Sequence, residues 1–322
     1  MSPRISVLMP AYQAEWCIGA AVESVLWQSY RDLELVVVDD GSTDATAAIV
    51  EAHQGPIRLV RQENRGVGPA RNAALAAASG ELITLCDADD ILFPRHVEAL
   101  LALYEQSGGK LVTTNSYWLL PGGIHRSKMR YKGRFPPPET QRRAILEQNF
   151  VSTMSLFPKE LAEELDGFDE SRWRTEDWDF WLRAIFAGHR FVLQREPLSL
   201  YRWGEASLSS DWQAMDADIE ALYDDLEERI ELTPEEHEYV RRRRAGPGPR
   251  RLGRQGDEAL RGGRYGEAAR SYREAAALCP SERMLVWKAR ALAPAPRLLG
   301  PLVRRRQLGI EKRLGIGAGH VR

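Results

Sequence analysis

A chain of 322 residues, 43% hydrophobic and 28% charged, holds enough apolar material for two domains, or for one large domain with an appendage. Its net charge of -2 conceals an asymmetry, because 21 Lys+Arg face 6 Asp+Glu from Arg241 onward and 23 face 40 before it. Three widely spaced cysteines (Cys17, Cys86, Cys279) argue against a disulfide framework and a zinc site, and with no signal-peptide pattern or membrane-length apolar run they lead us to expect a cytoplasmic protein.

The first hundred residues alternate two kinds of pattern. Ile5–Met9 is an apolar run interrupted only by Ser6, too short for a helix and suited to a strand buried on both faces. Helical spacing follows over Ile18–Gln28, then a second strand at Leu33–Val38 and a helix over Asp44–His53. Ile57–Arg61 reads as the third strand, Pro69–Ala78 as a helix, Glu81–Cys86 as the fourth strand and Pro94–Gln106 as another helix. This rhythm predicts an α/β protein with a mainly parallel sheet covered by helices.

Residues 107–150 look irregular, with Pro121-Gly-Gly and Pro136-Pro-Pro marking loops. Val151–Phe157 suggests a strand, Trp178–Ala187 a helix, and Phe191–Gln194 with Leu198–Tyr201 two short returning strands. An acidic helical stretch runs from Asp211 to about Tyr239, and the Gly/Pro/Arg-rich segment Arg241–Arg254 reads as a linker. Beyond it, the run from Ala259 to Ala275 has the spacing of one tetratricopeptide-like helical hairpin, with Pro280 after it. One repeat cannot build a solenoid, so a small packed helical appendage is expected.

Ligands of parallel α/β sheets bind beyond the carboxyl ends of the strands. Three strands end there in polar residues: Pro10-Ala11-Tyr12-Gln13, Asp39-Asp40-Gly41-Ser42 and Asp87-Ala88-Asp89-Asp90. Aspartates are common in turns and helix caps, and for Asp40 and Asp90 that structural reading stands at least level with ligand binding. The pair Asp87 and Asp89 differs in kind. Two carboxylates spaced i, i+2 repel one another unless a divalent cation sits among them, and Mg²⁺ sites combine one or two carboxylates with substrate phosphates.

Six segments in order resemble the glycosyltransferase family 2 enzymes. They are Ile5-Ser-Val-Leu-Met-Pro-Ala-Tyr-Gln, Leu35-Val-Val-Val-Asp-Asp-Gly-Ser-Thr-Asp, Asn64-Arg-Gly-Val-Gly-Pro-Ala-Arg-Asn, Leu85-Cys-Asp-Ala-Asp-Asp, Gly167-Phe-Asp-Glu and Thr175-Glu-Asp-Trp-Asp-Phe-Trp-Leu-Arg. The resemblance covers roughly positions 4 to 210 and implies the GT-A fold, with a Rossmann-like nucleotide-binding half. It divides the chain into a catalytic domain (1–210), an acidic helical extension and linker (211–245) and a basic helical region (246–322).

The activity implied is inverting transfer of a sugar from a nucleoside-diphosphate donor, usually uridine-linked, to a saccharide or lipid-linked acceptor, with Mn²⁺ or Mg²⁺ as cofactor. Pro10, Ala11, Tyr12, Glu15, Asp40 and Ala88 are then expected to line the nucleotide pocket, with Asp39 hydrogen-bonded to the base, Arg71 beside the nucleotide and Asp87 near the ribose. Asp89 takes the metal and Asp177 the role of catalytic base. Glu176, Asp177 and Asp179 also suit the acidic first turn of a helix, and spacing alone does not choose among them. Trp178 and Trp181 share a helical face with Leu182 and Ile185 and suit the core, which leaves Trp173, in the preceding loop, to stack on an acceptor sugar.

Two positions depart from the family pattern. Gln13 stands where the family most often has Asn, and Gly204, in Tyr201-Arg-Trp-Gly-Glu-Ala-Ser-Leu-Ser, stands where a His is common. The second departure makes Arg202 a candidate partner for the diphosphate.

The basic tail leaves two readings level, a solvated segment pairing with the acidic body and peripheral attachment to an anionic membrane. No nucleic-acid partner is expected, since no aromatic-interleaved basic motif accompanies the charge. Two other function classes compete with the transferase. A sugar nucleotidyltransferase needs a Gly-rich basic loop after its first strand, and Pro10-Ala-Tyr-Gln is not one. A non-catalytic sugar-nucleotide-binding scaffold is free to lose Asp87, Asp89 and Asp177, which are all present.

Overall fold

A computed structural model of the chain describes residues 3–129, 131, 135–204, 207 and 211–314. The chain divides into two compact units, one of residues 1–145 and 149–218, the other of residues 146–148 and 219–322.

The first unit is α/β. Its elements in chain order are β1 (Ile5–Ala11), α1 (Ile18–Leu26), β2 (Leu33–Asp40), α2 (Thr46–Ala52), β3 (Ile57–Gln62), α3 (Val67–Ala77), β4 (Leu82–Leu85), β5 (Ile91–Leu92), α4 (His96–Gln106), β6 (Leu111–Leu120) and β7 (Gly123–Met129). Then come α5 (Gln141–Glu147), β8 (Phe157–Pro158), α6 (Lys159–Glu164), α7 (Glu176–Phe186) and β9 (Phe191–Arg202). One sheet has the order β3-β2-β1-β4-β8, parallel except for the edge strand β8. A second sheet, β5-β9-β6-β7, pairs β9 with β6 in parallel and closes with antiparallel edges.

The apolar runs of β1 and β2 explain the first sheet. Every residue of both strands is buried, with Ile5 opposite Leu33 and Ala11 opposite Asp39. Strand order reverses between β1 and β4, which makes the gap beyond their carboxyl ends the topological switch point. The pairing of β4 with β1 stops at Leu8–Leu85, followed by Cys86 N donating to the Leu8 carbonyl at 2.9 Å. Pro10 lies past that point, so its missing N–H costs the β1–β4 ladder nothing.

Three segments of this unit differ from the sequence expectation. Region 107–150 contains a ten-residue strand, β6, whose centre is Thr113-Thr114-Asn115-Ser116, all buried. These residues are satisfied internally: Thr113 Oγ1 accepts from Ser152 N at 2.9 Å, and the Ser116 and Ser199 hydroxyls are 2.8 Å apart. A strand with a polar buried centre has no apolar alternation to announce it. Val151–Phe157 is mostly irregular, contributing only the Val112–Leu156 bridge before β8. The two short returning strands are one strand, β9, with register shifts opposite Asn115.

The second unit is helical: α8 (Trp212–Asp224), which begins in the first unit, α9 (Leu226–Arg229), α10 (Pro234–Arg244), α11 (Pro249–Arg261), α12 (Tyr265–Leu278), α13 (Arg283–Leu292) and α14 (Pro296–Leu314). The expected linker Arg241–Arg254 is therefore mostly helix, broken only at 245–248. Arginine is a good helix former, and Pro249 occupies the first turn, where its missing N–H is harmless. The predicted hairpin is α11 and α12, turning at Gly262-Gly263, where Gly263 takes φ +74°. Its core of Ala259, Leu260, Ala268, Ala269 and Tyr272 extends to Ala289, Leu292 and Val303, so the unpartnered hairpin is completed by α13 and α14.

Candidate active site

The loops at the carboxyl edge of the first sheet are stitched to each other. After β1, Gln13 adopts φ +50° and its Oε1 accepts from Thr43 N at 2.9 Å and Asp44 N at 3.2 Å, while Gln13 N donates to Ser42 Oγ at 3.0 Å. Glu15 Oε2 accepts from Ala45 N at 2.9 Å, and Glu15 N donates to Asp44 at 3.1 Å. The longer side chain of Gln13 thus ties the β1 loop to the β2 loop. Tyr12 stands 53% exposed between these anchored residues and Pro10-Ala11, which are buried in β1.

Asp39 and Asp40 divide their work. Asp39 is buried, and its Oδ1 accepts from Ser42 N at 3.0 Å, closing the turn after β2. Asp40 Oδ1 accepts from Gln62 Nε2 at 2.7 Å and Arg65 N at 3.0 Å, and its Oδ2 accepts from Gly66 N at 2.8 Å. With both oxygens engaged and the residue 4% exposed, Asp40 shapes the loop that enters α3. Gly66, at φ +97°, is required there, since a Cβ would stand 2.6 Å from the ring of Trp173. Trp173 therefore packs against the Asn64-Arg-Gly segment and remains 46% exposed.

Arg71, in α3, joins two of the acidic segments. Its Nη2 donates to Asp87 Oδ1 at 2.9 Å, just past β4, and its Nη1 binds Glu176 Oε1 in the first turn of α7. Arg71 and Glu176 are buried, whereas Asp87 is 24% exposed at its side chain. Burial works against the charge of Arg71, but Asp87, Glu176 and Asp177 hold it firmly protonated. Burial pushes the Glu176 carboxyl up to about 7, against the pull of Arg71.

Asp177 is half-buried beside that bridge. Its Oδ1 accepts from Trp178 N at 2.7 Å and its Oδ2 from Asn149 Nδ2 at 3.0 Å, which fixes the plane of the carboxylate. Trp178 and Trp181 are buried, Trp178 donating Nε1 to the Ile145 carbonyl at 2.8 Å.

At the other side of Asp87, Asp89 is partly exposed while Ala88 and Asp90 are buried. Burial and the neighbouring Asp87 charge push the Asp89 carboxyl up to about 6. Asp90 Oδ1 accepts from Arg202 N at 2.8 Å, and the Asp89 carbonyl accepts from Arg202 Nε at 2.8 Å. The Arg202 guanidinium also lies 5.3 Å over the ring of Trp16, which is 60% exposed. Gly204 faces open space among the described residues; the segment's residues 205, 206, 208 and 209 lie outside them.

A hard divalent cation fits this donor set. Asp89 and Asp87 present oxygen ligands whose mutual repulsion a cation would relieve, but among the described residues no group of three or more acidic, His or Cys side chains is gathered here or elsewhere to hold a metal by itself. The remaining coordination would fall to phosphate and water. Arg71 and Arg202 thus gather Asp87, Asp89, Glu176 and Asp177 into one constellation, whereas Glu15 and Asp40 act on the loops around it. Sequence reasoning missed Asn149 and Trp16. Asn149 sits in an irregular stretch with no motif, and Trp16 had only its place two residues beyond Ala14 to single it out.

The family model for glycosyl transferase family 2 matches residues 6–166, which span β1 through α6 and include Asp87 and Asp89. This chain belongs to that family. Similar curated proteins include the succinoglycan biosynthesis protein ExoO of Rhizobium meliloti, 30% identical over 220 residues that cover 64% of this chain and 63% of ExoO. The chain spans between 27% and 64% of the length of the curated relatives it matches. S. aureus TarS in complex with UDP-GlcNAc is similar in fold, with TM-score 0.58 and 18% identity over 97% of this chain and 92% of that one. The mannosyltransferase PcManGT from Pyrobaculum calidifontis, in complex with GDP-Man and Mn²⁺, has TM-score 0.59 and 19% identity over 97% of this chain and 87% of its own. The fold of this family 2 member is the GT-A type expected from its motifs. No helix among the described residues is long and apolar enough to cross a membrane.

Proposed function

We propose that this chain is an inverting glycosyltransferase that moves a sugar from a nucleoside-diphosphate sugar, UDP-linked, to a hydroxyl of a cell-envelope glycan or lipid-linked saccharide. The observation that carries the reading is the Arg71 bridge, which ties Asp87 at the end of β4 to Glu176 at the start of α7. Two acidic motifs almost ninety residues apart in sequence are thereby held on one guanidinium. The UDP-GlcNAc complex of TarS supports the donor class, and ExoO's role in succinoglycan biosynthesis supports an envelope acceptor.

Displacement at the anomeric carbon forms a bond to the acceptor oxygen as the bond to the diphosphate oxygen breaks. The acceptor proton passes to Asp177, whose carboxylate is oriented by Trp178 N and Asn149. A general base contributes about 10²–10⁴-fold in rate. Attack opposite the leaving group inverts the configuration, and no second carboxyl is needed to protonate the departing oxygen. Arg202, braced by the Asp89 carbonyl and Trp16, keeps a positive charge at the edge where the nucleoside diphosphate departs. Tyr12 and Asp39 border the space for the nucleotide, and Trp173 offers the acceptor an exposed aromatic face. Asp89, with Asp87, would hold Mn²⁺ or Mg²⁺, which supplies Lewis-acid neutralisation of the leaving phosphate.

Calorimetric titration of the full chain with UDP, GDP and TDP, with and without Mn²⁺, tests this reading. Metal-dependent binding of UDP, abolished in Asp89→Ala, is the expected result. A folded sample that binds none of the three overturns it, and Mn²⁺-dependent affinity retained in Asp89→Ala removes the metal from that residue.

A further inference from the structure

Helix α14 exposes three leucines, Leu298 at 79%, Leu302 at 66% and Leu308 at 44%. With about 100° between successive residues, these share one face with Pro301 and Arg305. The opposite face is buried, with Val303 and Gln307 in the interior of the unit and Gly300 set tightly against Tyr265. Arg297 and Arg304 border the exposed apolar face on one side. Arg306 borders it on the other, its guanidinium 4.3 Å over the ring of Trp287. A helix already anchored to its own core thus turns outward a stripe of leucines edged and crossed by arginines.

A soluble helix gains nothing from exposing this stripe. A second copy of the chain docked face to face would bring like charges together, because the sequence from Arg241 onward carries 21 Lys+Arg against 6 Asp+Glu. Nucleic acid would engage the arginines and leave the leucines in water. An anionic lipid surface uses both, with leucines entering the acyl boundary and arginines meeting the headgroups.

We propose that the Leu298–Leu302–Leu308 face of α14 lies in the interface of an anionic lipid bilayer and holds the protein there peripherally. The inference rests on the helical unit alone and does not depend on the transferase reading.

Flotation of the full chain with vesicles of equal parts phosphatidylcholine and phosphatidylglycerol, against phosphatidylcholine alone, tests it. Binding to the anionic vesicles only, weakened by added salt, is expected. The double variant Leu298→Glu/Leu302→Glu should lose more than about tenfold in binding. Arg297→Gln and Arg305→Gln should each cost about fivefold. All four positions being at the surface, thermal melting and nucleotide titration of the variants should match wild type and show that the fold survives. The proposal is overturned if the folded wild type ignores anionic vesicles, or if the double glutamate variant binds them unchanged. It is overturned equally if the same two leucines prove to hold a dimer in light scattering with no vesicle binding, or if an oligonucleotide binds this face and vesicles do not.

Discussion

Buried charge is handled differently around Asp257 and around Arg71. In the helical unit, Asp257 accepts from the Tyr272 hydroxyl at 2.5 Å and from Lys288, whose ammonium lies 4.9 Å over the Tyr272 ring. Acid, base and phenol come from three successive helices, α11, α12 and α13, and engage one another. In the α/β unit, Arg71 binds two carboxylates, yet Glu176 Oε2 and Asp90 Oδ2 are buried without a hydrogen-bonding partner among the described residues. Asp89 is lifted by burial and by Asp87 with no cation of its own to offset them fully. A network that only holds a fold has reason to close its valences, whereas one that awaits a charged ligand keeps some open.

The largest effect that can test this contrast is on turnover. Asp177→Asn keeps the shape of the side chain and should lower turnover by about 10²–10⁴-fold while leaving donor affinity nearly unchanged. Asp257→Asn should leave turnover alone. Steady-state rates and donor titrations on both variants decide the matter, and unchanged turnover in Asp177→Asn removes that residue from the role of base.

Stability comes next. Breaking a buried ion pair by removing one partner costs about 3–5 kcal/mol, so Arg71→Met and Lys288→Met should both shift urea unfolding by that order. They part company in function, because only Arg71→Met should weaken nucleotide binding. Adding Glu176→Gln to Arg71→Met should recover part of the stability by neutralising one stranded carboxyl. If Lys288→Met weakens nucleotide binding as much as Arg71→Met does, the distinction between the two networks fails.

The sequence made one of these networks visible and hid the other. Asp87, Asp89, Glu176 and Asp177 stand at ends of apolar or helical runs, where polar residues have a reason to be noticed. The first four strands were legible chiefly because β1, β2 and β4 are buried on both faces and carry short, largely apolar runs, interrupted only at Ser6, Glu34 and Thr84 before their polar ends. Strand β6 was not, because Thr113 through Ser116 are buried by pairing with hydroxyls and backbone, an arrangement that leaves no periodic trace. Arg71 was placed by its motif, but nothing in one dimension shows that its two arms reach residues 16 and 105 positions away. The Asp257–Lys288 pair was silent for the same reason, and the arginine-rich helix α10 was hidden behind a composition that reads as linker.

His96 asks whether an open valence by itself marks a binding site. It is fully buried at the start of α4, with Nδ1 3.1 Å from the Leu198 carbonyl, and Nε2 has no hydrogen-bonding partner among the described residues. Desolvation, only partly offset by the Leu198 hydrogen bond, depresses its pKa to about 4, so the folded chain keeps the imidazole neutral where an unfolded chain protonates it near 6.5. Between those values the unfolded state binds the extra proton, so the contribution of His96 to stability is present above pH 6.5 and is lost as pH falls toward 4. The loss reaches about 3 kcal/mol. Asp89, Asp90 and Glu176, whose carboxyls are raised, drive stability the opposite way over the acid range, so the effect is read as the difference between wild type and His96→Gln. That difference should narrow or reverse in favour of the variant as the pH of urea unfolding is lowered from 7 to 4, with nucleotide binding at pH 7 the same in both. A constant difference would mean that His96 titrates in the folded chain, and a change in nucleotide affinity would mean that its open nitrogen serves the site after all.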